Sequence, residues 1–104
     1  MAETGQTGAG GTGGGHVLRR RVTIVNSRGL HARAAAKLVG VAERFASRIE
    51  VIRDGQAVPA VSIMGLMMLG AGRGTEIEIT AEGWDAKEAL EAVAGLVEAG
   101  FHED

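Results

Sequence analysis

The segment Thr75-Glu76-Ile77-Glu78-Ile79-Thr80-Ala81 alternates apolar and polar side chains with a period of two. Successive strand residues point to opposite faces, so the isoleucines share one face and the glutamates and Thr80 the other. Such a strand needs a sheet with one face packed against apolar groups and the other in water. Two further stretches read as strands. Arg48-Ile49-Glu50-Val51-Ile52-Arg53 alternates as a half-buried strand, and Arg21-Val22-Thr23-Ile24-Val25 puts Val22 and Ile24 on one face. Asp54-Gly55 is a hairpin signal, which makes Ala57-Val58-Pro59-Ala60 the return strand. Pro59 donates no backbone hydrogen bond and belongs at a sheet edge or a strand end.

The cover for that one-faced sheet comes from three helical patterns. Ala35, Leu38, Val39, Ala42 and Phe45 or Ala46 recur at helical spacing after the turn residues Asn26-Ser27-Arg28-Gly29. Ser62 to Leu69 is a short apolar helix closed by Gly70. Asp85-Ala86-Lys87-Glu88 has capping-box spacing and opens a last helix with the stripe Ala89, Leu90, Val93, Leu96 and Val97. The order β-α-β-β-α-β-α predicts an α+β fold, with helices on one face of a mostly antiparallel sheet.

At 104 residues the chain makes one domain with one core, expected over 17–104. Aromatic residues are 3% of the chain against 45% hydrophobic overall, so the core must be aliphatic. The Gly-rich stretch 1–16 has too little apolar surface to offset its ordering entropy and is expected to be a disordered tail. Its Gly8-Ala9-Gly10-Gly11-Thr12-Gly13 matches a dinucleotide-binding spacing, but no strand precedes it. The absence of Cys excludes disulfides, thiolate metal sites and cysteine nucleophiles. No secretory signal and no apolar run of roughly 18 residues is present, so a soluble, cytoplasmic protein without membrane insertion is expected. Arg19-Arg20-Arg21 lacks aromatic stacking partners and reads as a solvated strand entry rather than a nucleic-acid site.

One histidine stands where chemistry is expected. In Gly29-Leu30-His31-Ala32-Arg33-Ala34, His31 falls at or beside a helix N-cap. The backbone N–H groups of Ala32, Arg33 and Ala34 then have no partner within the helix, and they sit at its positive pole. Such an end accepts anions. A neutral imidazole adds a nucleophile, and Arg33 adds a planar donor fork suited to phosphate. Transfer of a phosphoryl group needs mainly positioning and charge stabilisation. The chain has no Walker-type loop and no acidic cluster for magnesium, and His16, His31 and His102 are too scattered to hold a metal. No cofactor is expected, and any phosphate must arrive from another protein. A relay station fits better than a stand-alone enzyme.

The segment Gly29-Leu30-His31-Ala32-Arg33-Ala34-Ala35 resembles the active-site segment of HPr, the histidine-containing phosphocarrier of the bacterial phosphotransferase system, whose usual pattern is G-L-H-x-R-P-A. Ser62-Ile63-Met64-Gly65-Leu66-Met67-Met68-Leu69 resembles the family's regulatory serine and the helix behind it. The resemblance implies an open-faced sandwich of four antiparallel strands covered by three helices. It implies that His31 accepts phosphate at Nδ1 from Enzyme I, with Arg33 assisting, and passes it to an EIIA-type domain. HPr kinase/phosphorylase would modify Ser62. The chain looks most like the HPr and NPr proteins of proteobacterial regulatory systems, where the output is often nitrogen or carbon control rather than sugar transport; the sequence leaves both outputs open. Ala34 departs from the family's proline, a change that gives up a few tenths to about 1 kcal/mol of preorganisation.

Ser62 also suits an ordinary N-cap. If Leu66 and Leu69 face the sheet, then Ile63, Met64 and Met67 face outward and form a partner-docking patch beside the phosphate site. A carrier exposing His31 to two partners is expected to be a monomer. The competing reading is a regulatory binding module switched at Ser62, with His31 vestigial.

Overall fold

The computed structural model describes residues 16–103. The expected tail and its glycine motif lie outside the described residues, apart from exposed His16. The elements are β1 (Val17–Thr23), α1 (Ala32–Ala42), β2 (Arg48–Arg53), β3 (Gln56–Pro59), α2 (Ile63–Met68), β4 (Glu76–Glu82), α3 (Ala86–Glu98) and a short turn of 3₁₀ type (Gly100–His102). The strands form one antiparallel sheet in the order β1-β4-β2-β3. This is the expected open-faced sandwich.

The cleanest alternation in the sequence belongs to β4 because β4 is paired on both sides. Its inner residues meet Val22 at Ile77, Val51 at Ile79 and Ile49 at Ala81. Ile77, Ile79, Val51, Leu38, Leu66, Val93 and Val97 are buried to 1% exposure or less. β3 is an edge strand and Pro59 is its last residue, where a missing N–H costs no ladder bond.

β1 starts at Val17 and stops at Thr23, not over the predicted Arg21–Val25. The arginine run hid its start, because three charges in sequence do not look like a strand. Arg19 and Arg21 in fact face the open side, toward Glu78 at 3.8 Å and Glu76 at 3.7 Å. Arg20 faces the opposite side and reaches Glu98 of α3 at 2.9 Å. Exposed pairs of this kind contribute about 0–1 kcal/mol each, but they keep an arginine row compatible with a strand. Beyond Thr23 the chain turns away, and Ile24 bonds only to the loop before β4, through Thr75 O at 2.9 Å and Gly74 N at 2.8 Å.

The capping box before α3 does not form. Asp85 is the N-cap residue, yet its side chain makes no cap bond. Its carboxylate accepts instead from Ala46 N at 2.8 Å, Ser47 N at 2.9 Å and the Ser47 hydroxyl. Three donors from the loop after α1 outcompete one helix N–H. The Ser47 bond, above all, holds the Asp85 carboxyl below the usual carboxylate range, against the opposing effect of burial.

Candidate functional site around His31

Gly29 sets the entry to α1. Its φ is +65°, a region glycine enters without steric cost. A Cβ there would lie 2.5 Å from Ala71 O and 2.7 Å from Gly72 Cα. The next residue, Leu30, is buried and donates its N–H to Ala71 O at 2.9 Å. The loop before β4 therefore clamps the chain immediately ahead of the helix.

His31 is the N-cap of α1, with extended backbone (φ −76°, ψ 178°), and its carbonyl accepts the first helical bond from Ala35 N at 2.8 Å. Ala32, Arg33 and Ala34 occupy the first helical positions, whose N–H groups have no partner inside the helix. The imidazole makes no cap bond, so it is free for other contacts. Arg33 is exposed on the first turn. Among the described residues neither Arg33 nor the exposed Arg28 and Arg73 has an ion-pair partner, in contrast to the paired arginines of β1 and β2. Ala34 is fully buried in the core, a packing role that the helical pattern had not indicated.

The residue that touches His31 carries no motif in the sequence. Nε2 lies 3.0 Å from Glu103 Oε2 and 3.1 Å from Oε1. The two side chains are only 17% and 14% exposed. The His31 hydrogen bond is the main cause that holds the Glu103 carboxyl below its ordinary range; burial opposes it, and a hydrogen bond from Asn26 adds to it. Asn26 is fully buried and donates from Nδ2 to Gly29 O at 2.9 Å and to Glu103 Oε1 at 3.2 Å. Its Oδ1 is buried without a partner among the described residues.

Glu103 reaches this place through an unusual turn. Gly100, Phe101 and His102 all have positive φ, at 64°, 57° and 59°. The two non-glycine residues cost about 1–2 kcal/mol each in that region. Full burial of the Phe101 side chain, worth about 1.5–3 kcal/mol, offsets much of this. Lys37 of α1 ties the turn down from the other side, with Nζ 2.7 Å from Phe101 O. No local pattern marks Glu103, since its contact with His31 depends on a turn about 72 residues away in sequence.

Ser62 is the N-cap of α2, and its Oγ accepts from Gly65 N at 3.0 Å. Leu66 and Leu69 are buried, while Ile63, Met64 and Met67 are exposed. Met68, at 70% exposure, extends the same apolar surface. Arg53 of β2 donates to Leu69 O at 2.8 Å and Gly70 O at 3.1 Å, which satisfies the carbonyl end of α2.

Comparison with known proteins places this arrangement in a class, the phosphocarriers of the phosphotransferase system. Residues 18–99 match PTS-HPr, the PTS HPr component phosphorylation site. The phosphocarrier protein HPr of Cupriavidus necator is 45% identical over 87 residues, 84% of this chain and 98% of that protein. The phosphocarrier protein NPr of Shewanella violacea is 44% identical over 86 residues, 83% of this chain and 94% of that protein. HPr-C-His from Thermoanaerobacter tengcongensis aligns with a TM-score of 0.80 at 42% identity, covering 84% of this chain and 98% of its own. HPr from Bacillus anthracis aligns at 0.75 with 48% identity, covering 78% and 96%. The chain belongs to the HPr/NPr family of phosphocarrier proteins. No helix among the described residues is long and apolar enough to cross a membrane.

Proposed function

We propose that His31 is the phosphate-accepting residue of this phosphocarrier, taking phosphate from Enzyme I and giving it to an EIIA-type domain in the cytoplasm. The carrying observation is the placement of His31 at the N-cap of α1, with exposed Arg33 on the same turn. The backbone N–H groups of Ala32, Arg33 and Ala34 and the positive helix pole favour the phosphate that arrives there. A vestigial histidine would not need a buried asparagine and a strained turn to hold a carboxylate against it, which speaks against the reading of a pure binding module.

Ile63, Met64 and Met67 form the docking patch for both partners, and the exposed Arg28, Arg33 and Arg73 suit acidic partner surfaces. The carrier works as a monomer, since both partners need the same face. Phosphorylation of Ser62 by HPr kinase/phosphorylase would put a charge of about −2 beside that patch, and a helix N-cap tolerates it. The resemblance to NPr supports an output in nitrogen or carbon regulation. The test is incubation of the purified protein with phosphoenolpyruvate and Enzyme I. One acid-labile phosphate is expected, lost in His31→Ala; labelling that survives this substitution refutes the assignment.

A further inference from the structure

We propose that Glu103 is a positioning residue for phosphate transfer: it keeps the ring proton of His31 on Nε2, leaving the lone pair on Nδ1, and balances the charge the ring acquires during transfer. The proposal rests on His31 being the acceptor. Both carboxylate oxygens lie within 3.1 Å of Nε2. An ionised carboxylate has no proton to give, so Nε2 is the donor. A neutral imidazole has one N–H, so Nδ1 is then the nucleophilic nitrogen.

The transfer step balances without moving a proton. The Nδ1 lone pair forms the bond to phosphorus, and the bond from phosphorus to the donor atom breaks with its electron pair left on the donor. The His31 ring, now substituted at Nδ1 and still protonated at Nε2, is cationic and faces the Glu103 carboxylate. On onward transfer a lone pair of the acceptor forms the new bond to phosphorus, the N–P electron pair returns to Nδ1 and the ring is neutral again. The aspartate behind the histidine of a Ser-His-Asp triad does the same two things, fixing the tautomer and stabilising the imidazolium.

The surroundings show that Glu103 is held, not merely near. Asn26 Nδ2 fixes the Oε1 side of the carboxylate, and Lys37 fixes the turn that carries it. This orientation sets what Glu103→Gln would present. Asn26 Nδ2 is a donor, so the Gln oxygen takes the Oε1 place, 3.1 Å from Nε2, and its NH₂ the Oε2 place at 3.0 Å. One acceptor and one donor then compete for Nε2, the carboxylate charge is gone, and the preference for a proton on Nε2 falls.

The experiment is nitrogen-15 NMR of the His31 ring in the unphosphorylated protein, together with labelling by phosphoramidate, a small donor that needs no partner. The wild type is expected to show the Nε2–H form, and Glu103→Gln a mixture with the Nδ1–H form. Labelling of Glu103→Gln should fall by about 10-fold or more. Should that variant fail to fold, Glu103→Ala is expected to show a mixture of tautomers and labelling slowed by about 10-fold. A wild-type tautomer in the variant, or labelling within about twofold of wild type, overturns the proposal. If the wild type takes phosphate from neither phosphoramidate nor Enzyme I, the phosphocarrier reading fails instead. The tautomer measurement needs no phosphate and decides the Glu103 contact by itself.

Discussion

Gly29→Ala separates two costs that one residue carries at the site entrance. At φ +65° an alanine pays about 1–2 kcal/mol for the left-handed region. The new Cβ also meets Ala71 O at 2.5 Å and Gly72 Cα at 2.7 Å, and both are backbone atoms that no rotamer can remove. Overpacking of that kind adds about 1–3 kcal/mol, for a total of about 2–5 kcal/mol. Gly55→Ala is the control: its φ is +79°, but nothing lies within 4 Å of the new atom. It should lose only the conformational part, about 1–2 kcal/mol. Urea unfolding measures both. With a slope of about 1 kcal/mol per molar, the midpoint falls by about 2 M or more for Gly29→Ala and about 1–2 M for Gly55→Ala. Faster amide exchange at Leu30 should accompany the first variant alone, because its bond to Ala71 O spans the clash. Equal losses in the two variants would show that the loop yields freely, and the clamp argument would fall.

Gly40→Ala and Gly95→Ala, in exposed helix positions with nothing within 4 Å of the added atom, should each stabilise the fold by about 0.5–1 kcal/mol in the same assay. Ser62→Ala removes the bond from Gly65 N and should cost about 1 kcal/mol, read as a lower thermal midpoint. Asp85 and Glu103 both have carboxyl pKa values below the ordinary range. Their stabilisation is therefore present above the unfolded carboxylate pKa and is withdrawn as pH falls through the lowered folded values. A thermal midpoint measured from pH 6 downward should drop on that acid limb, less steeply in Asp85→Asn; an unchanged slope would count against the three-donor account of Asp85.

Much of the architecture could be read locally. The alternation at 75–81 pointed to the central strand, and Asp54-Gly55 pointed to the β2–β3 hairpin. Where local reading failed, side-chain partners far away in sequence were responsible. The arginine run became a strand because β4 pairs with it and offers Glu76 and Glu78 to its side chains, and the capping box was lost because Ala46 and Ser47 take Asp85. Glu103 illustrates the same limit at the site itself.

The one-faced sheet, its helical cover and the position of His31 at a helix entrance are legible along the chain, because hydrophobic period and turn chemistry act over a few residues. What stands behind His31 is settled only by long-range packing. A carboxylate 3.0 Å from Nε2 depends on Phe101 finding the core and on Gly29 admitting the loop of Ala71, and both are packing events between distant segments that no local spacing encodes.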